Sequence, residues 1–526
     1  VRSVVGNLGP GSQSNGVPLG SAPRRQPHDG GGLGLNLASR TQVSGHWFLR
    51  RRLGFALLRR SVRMEVDPVR WQRVLLMLSA VVGVVLVIGA LIVGWFRPAG
   101  QIGQSKIVAE RKVGTLYVVV DGRLHPALNL VSAQLIAGSP DRPTFVNADE
   151  LAKWPKGPPV GIVGAPVDTP RVVSPDVSRW AVCDTASTTV AGTPTVTGIN
   201  GELTLGDSAA RLGGDEALLL SYGAKTFVVT NGVRMPIDLG DRAVTDALGV
   251  ASGAPVQAMS RALYDALPAG GQLVVPSVPD AGAPPQFDWG PGIVVGSVVS
   301  SHDVTSGQDR FYVVAGDGVQ PVSPVVAAML RQHQSFGATT PPKVAPDRLA
   351  QVPVRHVLDV DYYPTSRLRV VDGHAQPVAC VAWEWKAHDQ QAQLHVLSGR
   401  GLPISSAQQG QLVKLVGGGH DGVQANQVLL SRQPATFVTT TGAALDSPRR
   451  QTLWLISESG ARYGVPFDDE ALRALGLAID QVRPAPWSML QVWPAGPELS
   501  RAAAMTVHDS LNGAAAMGSQ TRQHGG

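Results

Sequence analysis

From Val74 to Phe96 the chain runs for twenty-three residues without Asp, Glu, Lys, Arg or His. A helix of that length, rising ~1.5 Å per residue, crosses the roughly 30 Å hydrocarbon core of a bilayer with tilt to spare. The flanks give it a direction. Val1 to Arg73 holds twelve Arg, no Lys and three acids (Asp29, Glu65 and Asp67), a net +9, whereas Arg97 to Gly526 holds 33 basic and 36 acidic residues, a net −3. The positive side stays in the cytoplasm. A single-pass protein is therefore predicted over residues 74–96, N-terminus inside, with about 430 residues delivered across the membrane. The competing pattern, a cleaved signal peptide, would show a shorter apolar run near the N-terminus followed by a small-residue cleavage site.

The overall charge of +6 and the isoelectric point near 9.5 would suit nucleic acid. The excess, however, sits in the cytoplasmic segment, where it faces anionic lipid headgroups, so no nucleic-acid partner is expected. Residues 1–40 are rich in Gly, Ser, Pro and Asn and lack an apolar period, which predicts a disordered tail. Over residues 41–73, Trp47, Phe48, Leu49, Leu53, Phe55, Leu57 and Leu58 are interspersed with Arg50, Arg51, Arg52, Arg59 and Arg60. The spacing predicts a basic amphipathic helix on the inner leaflet or on a membrane partner, with plain topogenic charge as the alternative.

Sixty Gly and forty Pro point to many turns and short strands, hence an α+β, β-rich body. One pattern recurs four times beyond the span: an apolar strand, a Gly-containing turn, a short piece with Pro, and a stretch able to form a helix. The copies begin at Leu116, Thr226, Phe311 and Leu453, with turns at Asp121-Gly122, Asn231-Gly232, Asp317-Gly318 and Ser459-Gly460. Glycine accepts the positive φ that such hairpin turns require. Leu219-Leu220-Ser221 and Thr226-Phe227-Val228 reappear 210 positions later as Leu429-Leu430-Ser431 and Thr436-Phe437-Val438, and Leu267 to Leu273 is echoed by Trp493 to Leu499. An internal duplication follows, with two repeats in each half and an insertion near Ala443 to Gln451.

The predicted plan is repeat 1 over 97–140, a first part of a central β domain over 141–210, and repeat 2 over 211–276. A linker and repeat 3 occupy 277–340, the second part of the central domain 341–425, repeat 4 426–503, and a disordered tail 504–526. Strand-like runs at 178–183, 201–205, 354–358, 368–371, 378–385 and 393–397 are expected to form the shared central layer. Two cysteines occur, Cys183 and Cys380, 57 and 59 residues after Pro126 and Pro321 of repeats one and three. Both fall on the oxidising side of the membrane. Equivalent points close to a pseudo-two-fold axis approach one another, so a disulfide that staples the halves is predicted; two unrelated buried thiols are the alternative.

Catalytic signals are scarce. No Gly-Lys dipeptide exists, so there is no Walker A loop, and His-Glu-x-x-His and Gly-x-Ser-x-Gly are absent. Gly417 to Gly422 reads as a turn. His125 lies in a repeat turn, but Met235, Gln320 and Val465 occupy the matching places, which makes it a packing or surface position. Asp468, Asp469 and Glu470 suit a helix N-terminus. Trp383 and Trp385 share one face of a strand beside Cys380 and read as core, with sugar or partner stacking as the alternative. No metal or catalytic residue is assigned.

These residues resemble the EccB family, the single-pass membrane component of the mycobacterial type VII (ESX) secretion machinery. The likeness rests on Gln42 to Arg52 with Arg63-Met64 and Asp67-Pro68 before the span, Lys156 to Pro166, the segments around Cys183 and Cys380, and Trp493 to Pro497. It runs from about Thr41 to Ala503. Leu53-Gly54-Phe55 replaces a more polar stretch, and Val163 stands where Pro is usual. The resemblance implies an inner-membrane subunit whose periplasmic domain assembles with its own kind, with EccC, EccD and EccE as partners and the mycosin protease as a further contact. It also implies four small repeat domains around a central β domain in an elongated body, similar in shape to modules that bind cell-wall material, which makes a cell-wall-binding membrane anchor the alternative to a secretion subunit. Family members have been described as ATPases, which makes ATP the one cofactor the resemblance suggests.

Overall fold

The computed structural model describes residues 39–59, 68–96, 102–187, 192–418, 423–442, 444–448 and 451–508. The N-terminal tail to Ala38, Arg60, much of the Gly417–Gly422 turn, part of the expected insertion and the chain from Asp509 onward lie outside them. Two compact units result, Val1–Arg97 and Pro98–Gly526.

The first unit contains the helices Arg40–Arg59 and Pro68–Phe96. Pro68 opens the second helix, where its missing N–H and fixed φ cost nothing. Trp71–Ile92 is its apolar stretch, and its side chains are open all round, with Leu76 and Leu86 at 69% and 68% exposure. Only lipid solvates such a surface well. The first helix departs from expectation. Successive residues turn by ~100°, so Trp47, Phe48 and Leu49 fall on three different sides, and so do Arg50, Arg51 and Arg52. The helix forms, but it is basic and apolar by turns and has no single apolar face.

Among the described residues, five sheets build the second unit. The central one orders its strands Val413–Lys414, Gln427–Leu430, Thr195–Asn200, Val177–Thr185, Val378–Lys386, Gln393–Gly399 and Ala209–Arg211. Its middle pair is antiparallel, and identical residues face each other: Trp180 and Trp383, Ala181 and Ala382, Val182 and Val381, Cys183 and Cys380. Alternation sends the tryptophans and valines into a large core on one face and the cysteines and alanines into a smaller core on the other. Three predicted members are not in this sheet. Residues 201–205 and 354–358 are irregular, and Arg369–Val370 pairs with Glu216 and Ala217 of a small sheet. Conversely, Gln427–Leu430, assigned above to repeat 4, is a central strand.

The small sheets share one pairing pattern. Three antiparallel strands (Ile107–Glu110, Leu116–Val120 and Arg123–Pro126 in module 1) carry a fourth, Thr144–Val146, parallel to the first. Module 2 uses Glu216–Tyr222, Lys225–Thr230 and Val233–Ile237 with Gln257–Ala258, and module 4 uses Phe437–Thr441, Leu453–Ile456 and Arg462–Val465 with Arg483–Pro486. In module 3, Val298–Asp303, Gln308–Ala315 and Gly318–Val322 are joined by a bridge at Lys343. Asp121 and Asn231 adopt φ of 48° and 49° ahead of Gly122 and Gly232, the left-handed pair that a tight hairpin needs. After each third strand comes a capped helix: Leu130–Ala137, Arg242–Leu248, Pro324–His333 and Asp469–Ala474, with Asn129, Asp241, Ser323 and Asp468 accepting from first-turn N–H groups.

A strap then closes every module. Leu124, Arg234, Val319 and Arg462 donate to the carbonyls of Pro155, Pro268, Pro353 and Pro494 at 2.8–2.9 Å, and Gly157, Gly270, Arg355 and Gly496 donate back. The third strand is thereby never a bare edge. On this pattern Leu267–Leu273 and Trp493–Leu499 make matching bonds. The 210-residue identity does not: Phe227 lies in the second strand of its sheet and Phe437 in the first, while Leu429 is in the central sheet.

Modules 1 and 4 share one core, with Leu130–Ala137 against Asp469–Ala474 and Arg501–Ala504, and modules 2 and 3 share another, with Arg242–Leu248 against Pro324–His333. The C-terminal tail therefore starts later than expected. Ala504 is fully buried, Val507 bridges Val160, and His508 N donates to Pro159 O at 2.9 Å.

Candidate functional site

The disulfide lies at the centre of the body. Cys183 and Cys380 are bonded across the middle strand pair with their Cα atoms 4.0 Å apart, and neither is more than 1% exposed. The two cysteines are 197 residues apart in sequence, so the bond ties distant parts of the chain together across the central sheet. One residue on, Asp184 is buried and accepts from Ser260 N at 2.6 Å and Ser260 Oγ at 2.7 Å. Ser260 caps the helix Arg261–Ala266 of module 2, so this carboxyl fastens that module to the central sheet. Burial pushes its pKa up to about 7 against the pull of both Ser260 bonds.

Modules 2 and 4 also reach the central sheet through their straps. Leu267 and Trp493 belong to the central core, and Trp493 meets Trp180 edge to face at 5.8 Å. Each strap is held by an arginine. The Arg462 guanidinium lies 4.6 Å from the Trp454 ring and 4.9 Å from that of Trp487 while Nε donates to Trp493 O; Arg234 lies 3.6 Å from Tyr264 and donates to Leu267 O. Modules 1 and 3 place the buried Leu124 and Val319 at this position. Sequence reasoning missed these stacks, although the x-Pro-x-Gly spacing of the straps was a usable signal.

His125 is a packing residue. Its ring covers Gly157, where a Cβ would fall 2.2 Å from Cε1, and Nδ1 pairs with Pro158 O at 3.0 Å. Met235 and Tyr463 cover Gly270 and Gly496 in the same way. The counterpart of His125 in module 4 is thus Tyr463, not Val465. Trp383 lies in the central core and Trp385 packs against it, with Nε1 donating to Asp389 O. Among the described residues, no three His, Cys, Asp or Glu side chains converge as a metal site. Arg50, Arg51 and Arg52 are exposed beside Trp47, Phe48 and Leu49, Arg59 ends the helix, and Arg60 lies outside the described residues. A cleft of about 1030 Å³ opens between modules 1 and 4, walled by Phe145, Val167, Arg142, Arg171, Glu458 and Tyr463.

Known proteins similar to this chain share its mixed, strand-rich fold. Residues 35–513 match the family described as "Type VII secretion system ESX-1, transport TM domain B". The ESX-2 secretion system ATPase EccB2 of Mycobacterium tuberculosis H37Rv is 43% identical over 91% of this chain and 96% of its own length. The ESX-5 secretion system ATPase EccB5 of the same strain is 42% identical over 92% and 96%. A chain of an intact ESX-5 inner membrane complex superposes with a TM-score of 0.72 at 41% identity, covering 92% of this chain and 98% of that one. The EccB3 dimer from the ESX-3 core complex superposes with a TM-score of 0.68 at 39% identity, over 76% and 100%. With the match extending from before the span to the last strap, the chain belongs to the EccB family of type VII secretion membrane components.

Proposed function

We propose that this chain is a structural subunit of a type VII (ESX) protein secretion complex in the inner membrane, with its N-terminus in the cytoplasm and a periplasmic body that mediates assembly. The proposal rests chiefly on one observation: the likeness to a chain of an intact ESX-5 inner membrane complex takes in 92% of the residues, helix and body together. The partners are EccC, EccD and EccE in the membrane, with the mycosin protease as a further periplasmic contact. The body associates with a second copy, in keeping with the dimer found for the ESX-3 relative. Four repeats form its two halves around a pseudo-two-fold axis. An operation exchanging modules 1 with 3 and 2 with 4 carries the 1–4 pair onto the 3–2 pair, which supports this arrangement.

ATP hydrolysis is left out of the proposed role. The relatives carry the word ATPase in their names, but this chain has no Gly-Lys dipeptide to surround a β,γ-phosphate. No cofactor is assigned. Extraction in mild detergent followed by size analysis and identification of co-purifying chains tests the proposal, which expects a large assembly containing the other membrane components. A lone monomer would defeat it. ATP turnover by the purified full chain, abolished by a single point substitution, would restore the enzymatic reading.

A further inference from the structure

On the disulfide face of the central sheet, the His395 ring borders a cavity of about 70 Å³, two residues along its strand from Leu397, which lies opposite Cys380. Its Nε2 is buried and has no hydrogen-bond partner. Folded proteins leave few such atoms unpaired, and those that remain mark places filled by water, an ion or a ligand. The walls narrow the choice. Arg179, Arg211 and Glu384 line the cavity, and Lys386 acts on the imidazole from nearby. Three cations thus face one carboxylate, and that carboxylate is engaged: Arg179 Nε lies 3.1 Å and Lys386 Nζ 3.9 Å from its oxygens. A further cation is disfavoured there.

Leu203 and Leu205 form the apolar side, and the charged groups opposite offer charge-assisted hydrogen bonds, the stronger kind. At ~30 Å³ for each water the cavity has room for about two, or for part of one small oxyanion that reaches into its open mouth. We propose that this pocket binds a small oxyanion of the carboxylate or phosphate type, held by the Arg211 guanidinium and the His395 Nε2–H with Arg179 behind them. Arg211 supplies a planar fork of donors, and the Nε2–H tautomer leaves Nδ1 as an acceptor. Glu384 confines the anion to the His395 and Arg211 side.

The full-length protein in detergent is titrated with acetate and, separately, with phosphate, at an ionic strength held constant with chloride, following the unfolding temperature and the heat of binding. The expected result is a saturable rise for at least one oxyanion, with affinity reduced about tenfold or more by Arg211→Gln and by His395→Phe. Comparing acetate with phosphate identifies the preferred class. A rise matched by chloride, or retained in Arg211→Gln, would be general screening and would overturn the proposal. Absence of a saturable rise with either anion would mean that the pocket holds water only, and would overturn it as well. Arg211 is an exposed edge residue, so its substitution leaves the fold intact, which the unfolding temperature without anion checks.

Discussion

Single residues in this body are set by close approaches that short-range sequence patterns do not display. Gly157 and Gly496 lie beneath the rings of His125 and Tyr463, and a Cβ at either would fall 2.2 Å from a ring carbon. Gly157→Ala and Gly496→Ala are each expected to destabilise the body by ~1–3 kcal/mol through overpacking, read as a lower midpoint in denaturant unfolding. Asp184 gives a pH dependence with a definite sign. Its folded pKa, about 7, lies above its ordinary value of 3.8, so its contribution is full below about pH 4 and is lost as pH rises from there to about 7. Stability should fall with rising pH at up to ~1.4 kcal/mol per pH unit across that window. Asp184→Asn can keep both bonds to Ser260 without ionising, and is expected to flatten this slope and to unfold at a higher temperature than the parent above neutral pH. An unchanged slope in the variant would show that another group carries the effect.

At the scale of elements, the third strand of each small sheet relies on its strap, and modules 2 and 4 tie theirs with an arginine between aromatic rings. Burial lowers the Arg462 pKa, yet the guanidinium keeps two ring faces and a carbonyl in return. Arg462→Ala should cost ~1–3 kcal/mol, from two cation–π contacts and one charge-assisted bond, and should expose the strap near Pro494 to limited proteolysis. Arg462→Lys should recover little, because an ammonium cannot lie flat between two rings. Module 1, whose equivalent residue is Leu124, has no such lock, so its strap depends on backbone hydrogen bonds, the His125 contact with Pro158 O and apolar packing.

For the whole molecule, the disulfide joins the two middle strands of the central sheet, which are distant in sequence. Closing a loop of 197 residues restricts the unfolded chain by up to ~5 kcal/mol in loop-closure entropy. The Cys183→Ala/Cys380→Ala double variant is expected to lose ~2–5 kcal/mol while retaining the sheet, since valines, alanines and tryptophans pair around the bond. Thermal unfolding with and without reductant measures this. Free thiols titrated on the folded, oxidised protein would contradict the bond.

Much of this was open to reading from residues alone. The apolar span and the basic lead-in followed from run length and composition, because lipid is a uniform solvent and each residue's cost in it is nearly independent of neighbours. The hairpin turns at Asp121-Gly122 and Asn231-Gly232 and the cap at Asp468 were equally legible, since backbone geometry there is local. Other assignments failed for the opposite reason. Gln427–Leu430 reads as the start of a small module and belongs to the central sheet, because a four-residue apolar strand fits any partner and only its parallel pairing with Thr195–Asn200 decides. The pairing of module 1 with 4 and of 2 with 3, the arginine stacks, and the burial of Asp184 under Ser260 depend on surfaces that only the tertiary fold brings together, tens to hundreds of residues apart in sequence. Sequence alone determined the run apolar and long enough to cross a bilayer and the kind of unit the body is built from; which units touch, and which polar groups are enclosed between them, was decided by tertiary packing, where contact is set by shape.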